Sequence, residues 1–290
     1  MSSRAAVLAG RVLWLLVGVT GWLALGAALD GRAGAAAVVV EVAGLAAFGV
    51  TLAALVVPSS VSLTVARMVA PLAVIAAALA LAAGAGAARG VAFLAIAALD
   101  LLVVGSGEAG EAFAQASAYG DESRYPLRPP IAYLMPVVLA WTLWAAALVA
   151  GVVLLAGQRW LFGGVLAAIG LGAAWPLGVR CHRLSRRWLV VVPAGVVVHD
   201  HLVLAETLLV QRNQLTRLGL ALADTEAADL TGPAAGHAVD IAVKDSVKVA
   251  FAATRADTVG RAIHARSFLV APTRPGRALA AAKARDMPVT

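Results

Sequence analysis

Two carboxylates, Glu41 and Asp100, stand inside otherwise apolar stretches of the chain. An ionisable side chain at that depth in hydrocarbon costs about 3 kcal/mol or more, so such groups mark proton relays, ion or substrate pathways, or local ion pairs. Arg67, just before its stretch, and Asp100, near the end of the next, fall near the same inner face of the membrane, so an Arg67–Asp100 ion pair is expected as the alternative to a transport role. Glu41, about seven residues into its stretch, has no such partner, because Arg67 belongs to the opposite end. A third set is basic: Arg180, Arg183, Arg186 and Arg187, with His182 among them. It is the pattern that halts translocation and attracts anionic headgroups. The remaining local constellation is His199-Asp200-His201, whose imidazoles share a face in an extended segment. Zinc needs three or four ligands, and no third is identifiable, so the triplet reads as the turn leaving a hairpin and no metal is expected. No GxSxG elbow, GxxxxGK[ST] loop or HExxH helix is present, and Cys181 is alone. No catalytic residue and no cofactor is assigned on this basis.

The elements that position these groups are dominated by lipid-soluble segments. Apolar residues make up 61% of the 290 residues, charged residues only 13%, and the mean hydropathy is +0.89. Six apolar stretches, 12–29, 35–57, 69–85, 90–104, 131–156 and 160–179, are each read as a membrane-spanning helix. The first carries Arg4 and Arg11 ahead of it, like a cleavable leader, but its apolar run exceeds a signal core and five spans follow, so retention is expected. Counting basic flanks with both ends inside gives Arg4, Arg11, Arg67, Arg124, Arg128, Arg180, Arg183, Arg186 and Arg187 on the cytoplasmic side. Only Arg32, Arg89 and Arg159 lie outside. Both termini are therefore expected in the cytoplasm, in a cell membrane. Gly164, Ala168 and Gly172 form a small-residue stripe on the sixth span, read as packing within the bundle or between copies.

Past the sixth span the pattern changes. Residues 180–290 hold 15 Lys and Arg against 9 Asp and Glu, a charge that reads as a topology and lipid signal and not as a nucleic-acid interface. Short β-branched runs at 188–192, 196–199, 206–210, 215–222, 238–243, 247–252 and 267–270 are separated by turn residues such as Pro193-Ala194-Gly195. An alanine-rich helix is expected over 278–285 behind Pro275. The longest loop, 105–130, is read as a possible extension of the fourth helix carrying Glu108, Glu111 and Gln115. A polyproline-like connector ending in Tyr125-Pro126-Leu127-Arg128-Pro129-Pro130 follows it, with a docking segment, for a partner or for the chain's own soluble domain, as the alternative.

The expected architecture is thus a six-helix membrane bundle, 1–180, then a small mostly-β barrel or sandwich with a C-terminal helix, 187–285, and a short tail, 286–290. The order of hairpin, His199-Asp200-His201, further strands and Ala271-Pro272-Thr273-Arg274-Pro275-Gly276 opening a helix resembles a bacterial pleckstrin-homology-like domain. The whole chain resembles uncharacterised multi-pass membrane proteins of actinobacteria, in the stretches Gly120-Asp121-Glu122-Ser123-Arg124-Tyr125-Pro126-Leu127-Arg128-Pro129-Pro130 and Leu184-Ser185-Arg186-Arg187-Trp188. Neither resemblance implies an activity. The expected role is a membrane-anchored interaction protein, in which the β domain binds a protein partner or the anionic inner surface and the bundle is free to form homo-oligomers. A small-solute or proton-coupled transporter using the intramembrane carboxylates is the alternative.

Overall fold

The computed structural model describes residues 2–32, 34–253 and 260–290. Among the described residues, six helices are long and apolar enough to cross a membrane, which makes the chain a multi-pass membrane protein. They are α1 (Ser3–Leu29), α2 (Gly34–Val56), α3 (Ser60–Ala82), α4 (Ala87–Gly105) and, after a short α5 (Gly107–Gln115), α6 (Ile131–Ala156) and α7 (Trp160–Ser185). Charged residues, which lower local hydropathy, conceal how far these helices extend. α3 starts at Ser60 and not at 69, because the Ser59 side chain accepts from the Ser62 amide at 3.1 Å and fixes the first turn upstream of Arg67. Likewise α1 begins at Ser3, capped by Ser2. α5 is a separate helix and no extension of α4: Ser106 leaves helical geometry and its hydroxyl accepts from the Ala109 amide at 3.2 Å.

The chain forms two compact units, residues 1–113 with 137–182, and residues 114–136 with 183–290. In the first, α1 to α4 pack around alanines of α3, Ala66, Ala70 and Ala77, with Trp14, Leu55 and Phe93 filling the gaps. Arginines at helix ends tie the bundle together. Arg11 Nε donates to Leu55 O at 2.9 Å at the end of α2, and Arg32 Nη2 to Ala83 O at 3.1 Å beyond α3. Each supplies a donor and a positive charge to the orphan carbonyls of a neighbouring C-terminus. α6 and α7 meet at Gly151 and Gly163: a Cβ at Gly151 would lie 2.8 Å from Ala167 N, and one at Gly163 2.7 Å from Leu155 N. The small-residue contact is therefore offset by one position from the expected stripe. Gly164 and Gly172 have nothing within 4 Å of an added Cβ, and Ala168 is exposed.

The second unit holds two four-stranded sheets and a helix, α8 (Pro275–Lys283). The first sheet runs β1 (Ser123–Pro126), β2 (Trp188–Val192), β3 (Gly195–His199), β4 (Leu208–Gln211), all antiparallel. The β2–β3 turn requires glycine: Gly195 has φ +149°, and a Cβ there would lie 2.1 Å from Val210 O. The second sheet, formed by β5 (Leu215–Leu220), β6 (Ala228–Asp229), β7 (Val239–Phe251) and β8 (Arg261–Val270), has the order β5-β7-β8-β6. Two strands expected at 238–243 and 247–252 are one, with a register shift between Ala242 and Val247 that accommodates the polar Lys244-Asp245. Val191, Val198, Ile241 and Phe268 from the two sheets close on Ala278 and Ala282 of α8 in a single apolar core.

The stretch read as a connector is β1. It pairs Tyr125 with Leu189 and Arg124 with Val190; Tyr125 and Leu127 are buried in the β core, while Arg124 and Pro126, alternating with them, are only half-buried. That alternation is the period-two signature of a half-buried strand. The β unit is therefore built from two separated pieces of chain.

Candidate functional site

Arg187 and Asp200 join those pieces. Arg187, the residue just ahead of β2, donates Nε to Asp200 Oδ1 at 2.7 Å and Nη2 to Oδ2 at 2.5 Å, a fork-on-fork pair with both side chains fully buried. Its Nη1 donates to Arg128 O at 2.7 Å, and the Leu202 amide donates to Asp200 Oδ1 at 3.1 Å. The pair thus ties the β1 segment, the start of β2 and the turn after β3. Arg187, expected among the membrane-facing basic residues, is 1% exposed and spent on Asp200, so it presents no charge to a surface. Arg180, Arg183 and Arg186 are exposed. His182 turns instead towards Thr64, its Nδ1 3.2 Å from the hydroxyl.

Beside the buried pair lies a row of rings and cations on the surface of the first sheet. The Arg124 guanidinium sits 5.2 Å from the Trp188 ring centroid. Trp188 stacks on His199 at 5.4 Å with 20° between planes, as the register of β2 and β3 dictates, since Trp188 and His199 are direct partners. His199 lies 6.3 Å from His201 across the turn, and its Nδ1 is 3.1 Å from the Thr207 hydroxyl. Burial holds both imidazoles below their ordinary value. Arg186 and Arg124 push His199 further down, and Arg183, His199 and Arg186 do the same to His201, while Asp200 opposes in both cases. Because Asp200 is engaged by Arg187, the face it leaves is net positive. Nothing in the sequence flagged Arg124 or Trp188 for this face; the cross-strand pairing alone brings them to His199.

The intramembrane candidates separate in the structure. Arg67 does not pair with Asp100: it donates Nε to Val104 O and Nη2 to Ser106 O, both at 3.1 Å, and serves the C-terminus of α4 as Arg11 serves α2. Asp100 is completely buried, and neither carboxylate oxygen has a hydrogen-bond partner among the described residues. The hydroxyl of Thr51, also buried, lacks one too. These two residues lie one turn before Leu55 and Val104, which meet at Gly10. Glu41 is exposed on the outer side of α2, between Val38 and Val42, away from the bundle interior.

Among the described residues no three His, Cys, Asp or Glu side chains gather at ion-binding range. A shallow groove of about 510 Å³ runs between β4 and the residues after α8, with exposed Leu209 on its wall and Arg212 and Asp286 at its rim. Its lining holds no nucleophile paired with a base. No protein-family model matches the chain, and no curated protein or solved structure shows significant similarity to it.

Proposed function

We propose that the chain is a membrane-anchored interaction protein of the cell membrane, with both termini in the cytoplasm and a pleckstrin-homology-like β domain whose working face engages the anionic inner surface. The observation that carries this reading is the separation of the basic cluster into two jobs. Arg187 is internal to the fold, whereas Arg183, in the last turn of the last span, and Arg186, just after it, stay exposed. Cations in the last turn of a spanning helix stand at headgroup depth, where each is attracted to anionic lipid by about 1 kcal/mol. The strand order, the hairpin at Gly195 and the closing α8 support the pleckstrin-homology-like description. Hydrogen exchange of the full chain in bilayer discs tests the proposal. Residues 183–204 are expected to gain protection when phosphatidylglycerol replaces part of the phosphatidylcholine, and to lose that gain in Arg183→Glu/Arg186→Glu. Equal protection in both lipids sinks it.

A second reading, small-solute or proton-coupled transport, is favoured by Asp100 alone. A buried carboxyl without donors inside a helical bundle is costly and is retained where a proton or small cation is handled. In proteoliposomes, Asp100→Asn abolishes flux under this reading, whereas Glu41→Gln, on the outer face, leaves it unchanged. Flux that survives Asp100→Asn removes it.

A further inference from the structure

We propose that Arg183, Arg186, His199 and His201 form one phosphodiester site on the β domain, taking the headgroup of an anionic phospholipid against the Trp188 ring and binding it more tightly as pH falls. The inference rests on the membrane-surface reading above and adds to it the residues that gate it.

The geometry comes first. His199 and His201 stand 6.3 Å apart, and the Trp188–His199 stack holds the first ring in place from one side while the Thr207 hydroxyl, 3.1 Å from Nδ1, holds it from another. Both imidazoles are half-buried and both arginines exposed; Arg186 lies close enough to both rings, and Arg183 to His201, to act on their protonation. A hairpin exit needs none of this: a turn is served as well by small polar residues, whereas paired imidazoles between arginines are a donor set for an oxyanion.

The charges decide the direction of gating. Those acting on His199 are Arg186, Asp200 and Arg124; those acting on His201 are Arg183, Asp200, His199 and Arg186. Asp200 is neutralised by Arg187, and Glu122 is paired with Arg124 at 2.7 Å. Burial first, and then the positive charge that remains, hold both imidazoles below their ordinary value. A phosphodiester placed among them reverses that repulsion, so binding draws protons onto the imidazoles, and by linkage acid strengthens binding. The ligand is assigned to the bilayer and not to a free anion because Arg183 belongs to the last turn of α7, a 26-residue helix apolar enough to span.

The test uses the full chain in neutral detergent and dihexanoyl-phosphatidylglycerol, whose phosphodiester keeps its charge across the range, titrated by calorimetry at about pH 7.5 and about pH 5.5. Two imidazolium charges beside the headgroup should tighten binding about tenfold at the lower pH. His199→Gln/His201→Gln should weaken binding at both pH values, since two donors are lost, and should remove the acid gain. Affinity that does not change with pH, or an acid gain that survives the double histidine variant, overturns the gating assignment while the membrane-surface reading stands. Unchanged binding in Arg183→Glu/Arg186→Glu removes that reading itself. Sulfate that displaces the lipid at equal concentration overturns the lipid assignment in favour of a free anion.

Discussion

Removing the Asp200 carboxylate should unlock the β domain. Asp200 accepts from Arg187 Nε, Arg187 Nη2 and the Leu202 amide, at 2.7, 2.5 and 3.1 Å, in a site from which water is excluded. Asp200→Ala deletes all three and leaves a buried guanidinium with only Arg128 O as acceptor. Breaking a fully buried pair from one side costs about 3–5 kcal/mol, most of it the penalty of the stranded charge. That corresponds to a loss of hydrogen-exchange protection of about 10²–10⁴-fold in β2 and β3, measured by mass spectrometry on the full chain in detergent. α1 to α4, which belong to the other compact unit, are the internal reference. Asp200→Asn keeps an acceptor for Leu202 but loses the charge, and should fall between. Arg187→Met/Asp200→Leu removes both charges and should recover most of the loss, since similar-sized apolar pairs replace buried ion pairs at little net cost. A loss below about 1 kcal/mol in Asp200→Ala, or a double variant as damaged as the single ones, would refute the argument that this pair locks the two pieces of the domain together.

Other consequences follow from the same structure. Residues 183–290 expressed alone lack β1 and the buried Tyr125 and Leu127, worth about 1.5–3 kcal/mol each, and should show no cooperative near-ultraviolet transition. Joining 114–130 to 183–290 through a flexible linker should restore it. Gly151→Ala places a methyl against Ala167 N and should cost about 1–3 kcal/mol in thermal unfolding, whereas Gly164→Ala, which meets nothing, should be silent. The native imidazoles of His199 and His201 lie below their ordinary 6.5, so the folded state binds fewer protons than the unfolded one. Stability is then full above that value and lost as pH falls through the depressed native values, which acid melts of wild type against His199→Gln/His201→Gln will show.

Some of this architecture is legible in single residues and some is not. Helices betray themselves by apolar length, so α2 and α6 are found within a residue, but α3 extends nine residues further because a serine cap, and not hydropathy, starts it. The hairpin of β2 and β3 is visible because Pro193-Ala194-Gly195 is a turn signal between two β-branched runs. β1 is concealed by its position: Tyr125 and Leu127 sit among prolines and charges between two spans, and only pairing with β2 reveals that they are core. Arg187 is chemically indistinguishable from Arg186 in the chain; one is buried and one exposed because Asp200 arrives from the far side of the hairpin.

Local chemistry alone therefore determines that six segments belong in hydrocarbon, that the remainder prefers strands, and where the cations gather. These properties depend on each residue's own transfer free energy and on short-range periodicity. Which carboxylate is interior, which arginine is a cap, a lock or an exposed charge, and which loop completes the β domain were decided by tertiary structure. Each depends on partners distant in the chain, as Asp100, Arg67 and Tyr125 show, and no local pattern carries that information.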